Sequence, residues 1–153
     1  MGYFPFFKDI DKKHCLIVGG GEVAYRKAKK LLPYDPVLHI IAEDVCADML
    51  SIGHDIKKRA FKADDIEGMD FVIAATDDKK LNHETAILCR RKNIPVNSVD
   101  SKEDCDFIFP SLFKKGELSI GITSGGISPN LSAHYRNILE ENTPSEIEDI
   151  LDF

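Results

Sequence analysis

The sequence predicts an α/β fold: a parallel sheet with helices on both faces, followed by a β-hairpin and a further helix. Three observations predict it. Short, unbroken apolar runs alternate with helix-period segments through the first hundred residues, a glycine turn joins the first run to the first helix, and the alternation stops after about residue 106. Strands covered on both faces read as continuous apolar runs, and helical segments between them are the usual connection of a parallel sheet.

Cys15 to Val18 is the first run, bounded by Lys12-Lys13-His14 and by three glycines. A helix should follow, because Ala24, Ala28, Leu31 and Leu32 recur on one side while Arg26, Lys27, Lys29 and Lys30 take the other, until Pro33 and Pro36. Val37–Ala42 reads as the second strand, 45–52 as a short helix, Ile56–Ala60 as an edge strand and Phe71–Ala75 as another buried strand. Leu81, Thr85, Leu88 and Cys89 mark the next helix, whose end carries Arg90, Arg91 and Lys92, and Ile94–Val99 closes the series. Phe107–Leu112 and Leu118–Thr123 then flank Lys114-Lys115-Gly116-Glu117, as the arms of a hairpin would. Ser128-Pro129 is a helix start, with Leu131, Tyr135, Ile138 and Leu139 on one face, and Ser145 with Glu148 signals a last short helix. The organisation expected is 1–106 as a nucleotide-binding domain, 107–142 as a hairpin-and-helix region and 143–153 as a short acidic tail.

At 153 residues, 43% hydrophobic and 30% charged, the chain is long enough for one well-packed core. No apolar run nears the ~18 residues of a membrane span, and the start has no basic leader with a long apolar stretch, so a cytoplasmic protein is expected. Cys15, Cys46, Cys89 and Cys105 form no C-x-x-C pair and the five histidines lack ligand spacing, so no metal site is expected. The net charge of −6 argues against a nucleic-acid partner, but its distribution matters more than its total. Six acids and no Lys or Arg lie beyond Leu139, while residues 1–139 balance at 20 of each sign. The body therefore retains basic clusters for an acidic ligand, with Arg136 and Lys114-Lys115 favoured by their position.

The residues Gly19 to Ala24, GGGEVA, satisfy G-x-G-x-x-A between a strand and a helix. Gly19 permits the tight turn, Gly21 lets the backbone approach a pyrophosphate, and Ala24 allows close helix packing, which together predict a Rossmann-like dinucleotide site. Glu43 and Asp44, 22 and 23 residues past Gly21, stand where a carboxylate accepts from the adenosine ribose and repels a 2′-phosphate, so NAD is favoured over NADP. Thr76 and Asp77, and then Asn97 and Asp100, end the fourth and fifth strands on the edge where open α/β sheets bind ligands. A buried carboxylate there could take a proton while the cofactor takes a hydride. Ser124-Gly125-Gly126, running into the Ser128 helix start, reads either as a nest for a carboxylate or as an ordinary turn.

These segments, with Tyr3-Phe4-Pro5, FVIAATDDKKLN, IPVNSVD, DFIFPSLFKKGELSIGITS and SGGISP in order, resemble one family: the N-terminal module of siroheme synthase, precorrin-2 dehydrogenase. The resemblance implies NAD-dependent oxidation of the tetrapyrrole precorrin-2 to sirohydrochlorin within siroheme biosynthesis. By matching position it implies Glu22 and Val23 along the cofactor, Glu43 and Asp44 near its adenosine end, Thr76 and Asp77 near its middle, Asp100 as the general base, and Ser124 at the tetrapyrrole. It also implies a homodimer built by the hairpin and helix, with a downstream chelatase as a possible partner. Some members insert iron, using a helical region for which TPSEIEDILDF is short, so the expectation is dehydrogenation without ferrochelatase activity. Two further readings are a non-catalytic NAD/NADH-sensing module and a tetrapyrrole delivery partner.

Overall fold

A computed structural model of the protein describes residues 2–144. The short helix expected from Ser145 lies outside them. The described residues form two compact units, one from Asp9 to Ile108 and the other joining 2–8 to 109–144.

In the first unit, β1 (His14–Val18), β2 (Val37–Ala42), β3 (Asp55–Lys58), β4 (Phe71–Ala74) and β5 (Val96–Ser98) form one sheet in the order β3-β2-β1-β4-β5. Every pairing in it is parallel. The helices α1 (Glu22–Leu31), α2 (Ala47–Ser51) and α3 (Lys79–Arg91) connect the strands. The path β1-α1-β2 runs one way across the sheet and β4-α3-β5 the other. Since such crossovers are right-handed, α1 and α3 must cover opposite faces. The strand order also reverses at β1, and that reversal opens a crevice at the carboxyl ends of β1 and β4.

Side-chain alternation divides the core accordingly. Leu16, Val18, Val72 and Val96 cluster with Ala86 and Cys89 of α3 and with Ile66. Cys15, Ile17, Phe71 and Ile73 point to the other face, by the two-residue period of a strand. There α1 buries Ala24, Ala28 and Leu31, at i, i+4 and i+7, as its apolar stripe requires. Pro33 does end α1, through a short 3₁₀ turn over Leu32–Tyr34.

The second unit contains an antiparallel pair, β6 (Ser111–Lys115) and β7 (Leu118–Ile122), followed by α4 (Pro129–Asn142), which packs on it. The first arm is not where the apolar pattern put it. Phe107 belongs to the first unit, where its ring meets Phe71 edge-on at 6.1 Å and its carbonyl accepts 2.9 Å from the Asn97 amide. The arm therefore begins at Ser111, and Lys115 pairs with Leu118 across a two-residue turn. Gly116 takes φ 53° at the first of those two positions, as a hairpin turn favours. The Ser128 hydroxyl caps α4 by accepting from the Leu131 N–H at 3.3 Å, as expected.

Candidate cofactor and active site

The glycine turn leaves β1 with its backbone fixed from two sides. The Gly19 N–H donates to the Ile41 carbonyl at 2.9 Å, and the Ala75 N–H donates to the Val18 carbonyl at 2.8 Å. Gly19 has φ +124°, and a β-carbon there would stand 2.2 Å from the Ala75 oxygen. Gly20, which the motif leaves free, is as constrained: a β-carbon would meet the Asp44 oxygen at 2.4 Å and the Ala42 β-carbon at 2.9 Å. Its carbonyl accepts from the Cys46 N–H at 2.9 Å, so the turn and the Glu43–Asp44 loop are locked together.

Gly21 differs from both. A β-carbon on it would meet nothing within 4 Å, and it opens α1 with no side-chain cap. The first turn of a helix presents free N–H groups and the positive end of the helix dipole. A pyrophosphate fits here: open space at Gly21, unscreened donors, and exposed Glu22 and Val23 on the same turn. Ala24, fully buried, lets α1 approach the sheet. Glu43 and Asp44 are exposed at the end of β2, where a ribose would be met.

Thr76, Asp77 and Asp100 follow the ends of β4 and β5 on the same sheet edge, because all five strands run in parallel. One buried side chain ties Thr76 to Asp100. Asn82, on α3 and fully buried, accepts at Oδ1 from the Thr76 N–H at 3.1 Å and from its hydroxyl at 2.7 Å. Its amide nitrogen donates to the Thr76 carbonyl at 2.9 Å and to Asp100 Oδ2 at 3.0 Å. The Ser98 hydroxyl donates to Asp100 Oδ1 at 2.7 Å. Asp78 caps α3 by accepting from the Lys80 and Leu81 N–H groups, while Asp77 stays exposed. Asn82 lay inside the TDDKKLN segment of the sequence, but a mid-helix asparagine carries no local signal of a partner 18 residues away.

Asp100 is exposed rather than buried, contrary to the sequence-based expectation. Partial burial raises its pKa, but the hydrogen bonds from Asn82 and Ser98, and Lys79 nearby, outweigh that and hold it below the usual carboxylate range. Asn97 departs the other way. It is only 4% exposed, and its amide nitrogen is spent on the Phe107 carbonyl and on Cys105 Sγ at 3.4 Å, so that end of the side chain faces inward. Its Oδ1 is buried without a hydrogen-bond partner. The loop after Asp100 is held by further ties: Cys105 Sγ to the Ser98 carbonyl at 3.1 Å, His83 Nδ1 to Asp104 at 2.8 Å and Arg90 to Asp106 at 3.2 Å. Among the described residues, no cluster of three or more His, Cys, Asp or Glu could hold a metal ion.

In the second unit, Ser124 accepts at Oγ from the Ser128 N–H and donates to the Ser128 carbonyl, both at 2.9 Å. The Gly125 N–H donates to the Thr123 hydroxyl and the Ile127 N–H to the Ser124 carbonyl. Gly125 and Gly126 have φ 66° and 79°. The loop thus consumes most of the donors that a carboxylate nest would offer. The favoured cations are also engaged within this unit, Arg136 with Glu140 at 2.7 Å, Lys114 with the Gly116 carbonyl and Lys115 with the Pro144 carbonyl.

The chain is similar to known proteins in sequence and in fold. The chain is 38% identical to the siroheme synthase of Ruthia magnifica subsp. Calyptogena magnifica over 148 residues, 94% of this chain and 31% of that one. It is also 38% identical to the siroheme synthase of Nitrosomonas eutropha over 152 residues, 95% of this chain and 32% of that one. It therefore spans about a third of the length of these curated relatives. Among solved structures, its fold matches that of "SirC, precorrin-2 dehydrogenase" with a TM-score of 0.77 at 23% identity, over 98% of this chain and 76% of that one. The model of the family described as "Putative NAD(P)-binding" matches residues 6–111, the stretch that contains the glycine turn, the carboxylates after β2 and Asp100, and the chain belongs to that family.

Proposed function

We propose that the protein is an NAD-dependent precorrin-2 dehydrogenase that oxidises precorrin-2 to sirohydrochlorin. The observation that carries the reading is the placement of an open pyrophosphate turn at Gly21 and a fixed carboxylate at Asp100 on one sheet edge. The identity to siroheme synthases over nearly the whole chain and the SirC-like fold support the substrate. NAD, when bound, accepts a hydride from the substrate. Asp100, ionised at neutral pH, accepts the proton lost from the tetrapyrrole and returns it to solvent, so two hydrogens leave the substrate and the charges balance. Glu43 and Asp44 favour NAD over NADP, with Glu22, Val23, Thr76 and Asp77 lining the rest of the cofactor. Asn97 acts by shaping the loop that carries Asp100.

Residues 107–142 are proposed to meet both substrate and a second copy of the chain. Ser124, Gly125 and Gly126 are proposed to contact substrate carboxylates by exchanging the loop's own hydrogen bonds for bonds to the ligand. Leu131, Tyr135 and Ile138 are exposed along α4 at i, i+4 and i+7, a stripe that a homodimer would cover. No described helix is long and apolar enough to cross a membrane, and we place the reaction in the cytoplasm, with the product passed to a separate chelatase.

Anaerobic incubation with precorrin-2 and NAD should yield NADH and sirohydrochlorin, and Asp100→Ala should reduce turnover by about 10²–10⁴-fold while NAD still binds. Folded protein that binds NAD but leaves intact precorrin-2 unchanged would overturn the reading in favour of nucleotide sensing.

A further inference from the structure

We propose that Asn82 is the positioning residue of the site: its amide aims the Asp100 carboxylate and couples it mechanically to the Thr76 turn. The chemical consequence rests on the dehydrogenase reading above, but the geometry does not.

A side-chain amide offers two N–H donors and one oxygen with two lone pairs. At Asn82 all four are used, three toward Thr76 and one toward Asp100. The orientation is unique, since a flipped amide would turn its oxygen toward the Thr76 carbonyl and the Asp100 carboxylate, two acceptors. It is also rigid, because Asn82 is fully buried on the first turns of a helix already capped by Asp78. Three bonds to Thr76 would suffice to satisfy the β4–α3 turn. The fourth crosses to a different strand end and reaches a residue that neither helix nor strand holds.

Asp100 has one other side-chain tie, Ser98, on its other oxygen. The two donors approach different oxygens, so they fix the plane of the carboxylate. The groups facing it from the neighbouring elements are Asn82 and the cationic Lys79 of α3 and Ser98 of β5. Asn82 is thus the link by which any shift of the Thr76 turn reaches the proposed base. Fully buried, it acts through Asp100.

The test is the titration of Asp100 itself, followed by ¹³C NMR of its carboxyl carbon in full-length protein. In Asn82→Ala and in Ser98→Ala the midpoint should rise toward the ordinary aspartate value. With precorrin-2, kcat should fall by about tenfold or more, while KM and the NAD Kd change by less than about threefold. The acidic limb of the kcat profile should move to higher pH together with the NMR midpoint. A residue that is only structural would lower stability and leave midpoint and limb in place, and that result overturns the proposal. Should Asn82→Ala fail to fold, the wild-type protein still decides: the Asn82 side-chain amide protons must shift with the Asp100 titration and lose that shift in Asp100→Asn. Their indifference to Asp100 would refute the coupling. If the wild type shows no turnover, the dehydrogenase reading fails, while the NMR arms still judge the role of Asn82.

Discussion

Gly19 and Ala75 approach so closely across the β1–β4 crevice that a β-carbon on the glycine would stand 2.2 Å from the alanine carbonyl oxygen. Two strand ends are therefore packed backbone to backbone beside the proposed cofactor turn. Gly21, two residues on, faces open space with extended backbone at φ −81° and ψ −176°.

The two glycines should respond differently to alanine. Gly19→Ala combines a clash against backbone with a positive φ of +124°, which L side chains rarely adopt, and should cost on the order of 2 kcal/mol or more. Gly21→Ala meets neither obstacle, so thermal unfolding should be almost unchanged while the NAD Kd rises by about tenfold, because the methyl occupies the pyrophosphate approach. Calorimetric melting and NAD titration of both variants check this. A Gly21→Ala protein that binds NAD normally would remove the cradle from this turn.

Cofactor preference should follow the charges after β2. Glu43 and Asp44 are exposed there, and either carboxylate would repel the 2′-phosphate of NADP. NAD is expected to bind at least about tenfold more tightly than NADP, a difference on the order of 1.4 kcal/mol. Replacing both acids with serine should narrow the ratio. Equal affinities in the wild-type protein would show that neither side chain reaches the ribose.

The frame of this site was legible in the sequence because it depends on local signals. Apolar runs at Cys15–Val18 and Phe71–Ala74 mark strands that are covered on both faces, and the glycine turn follows the first of them directly. What escaped depends on distant partners. Phe107 looks like a hairpin residue until Phe71 and Asn97 claim it for the other unit. Asn97 looks like a ligand contact at a strand end, but β5 turns it inward. Asn82 has no neighbour in sequence that announces Asp100. Likewise the Ser124–Gly126 loop satisfies its own donors, which composition alone could not separate from a nest.

Acid sensitivity should localise at Asp65. The Arg59 guanidinium, bonded to both of its oxygens at 2.8 and 2.6 Å, holds its carboxyl below the usual range against the opposing effect of burial, helped by the Lys62 N–H at 2.7 Å. A carboxylate with a depressed folded-state pKa stabilises the fold above its unfolded value and loses that contribution as pH falls through the folded one. Asp65→Asn should therefore lower the Tm at neutral pH by a few degrees, equivalent to about 1 kcal/mol, and the difference should shrink as the pH falls below the ordinary aspartate value and through the lower folded one. A gap that persists unchanged into acid would assign the effect to packing at Ile66 instead.

Lys27 should act in the opposite sense at alkaline pH. Burial is the main cause that lowers its pKa to about 8, with Lys30 and Arg26 adding like-charge repulsion and Cys105 opposing them. Charging this amine is therefore harder in the fold than in the unfolded chain, where it titrates near 10.5. Below pH 8 the fold bears the full cost, and between 8 and 10.5 the unfolded chain binds more protons, so stability attributable to this group rises with pH. Lys27→Met should stabilise the protein at neutral pH by on the order of 1–3 kcal/mol, and the advantage should shrink steadily as the pH approaches the unfolded value. Comparing denaturant unfolding of the two proteins across that window isolates the group, since every other titration is common to both. A difference that stays flat with pH would mean that Lys27 keeps its ordinary charge inside the fold.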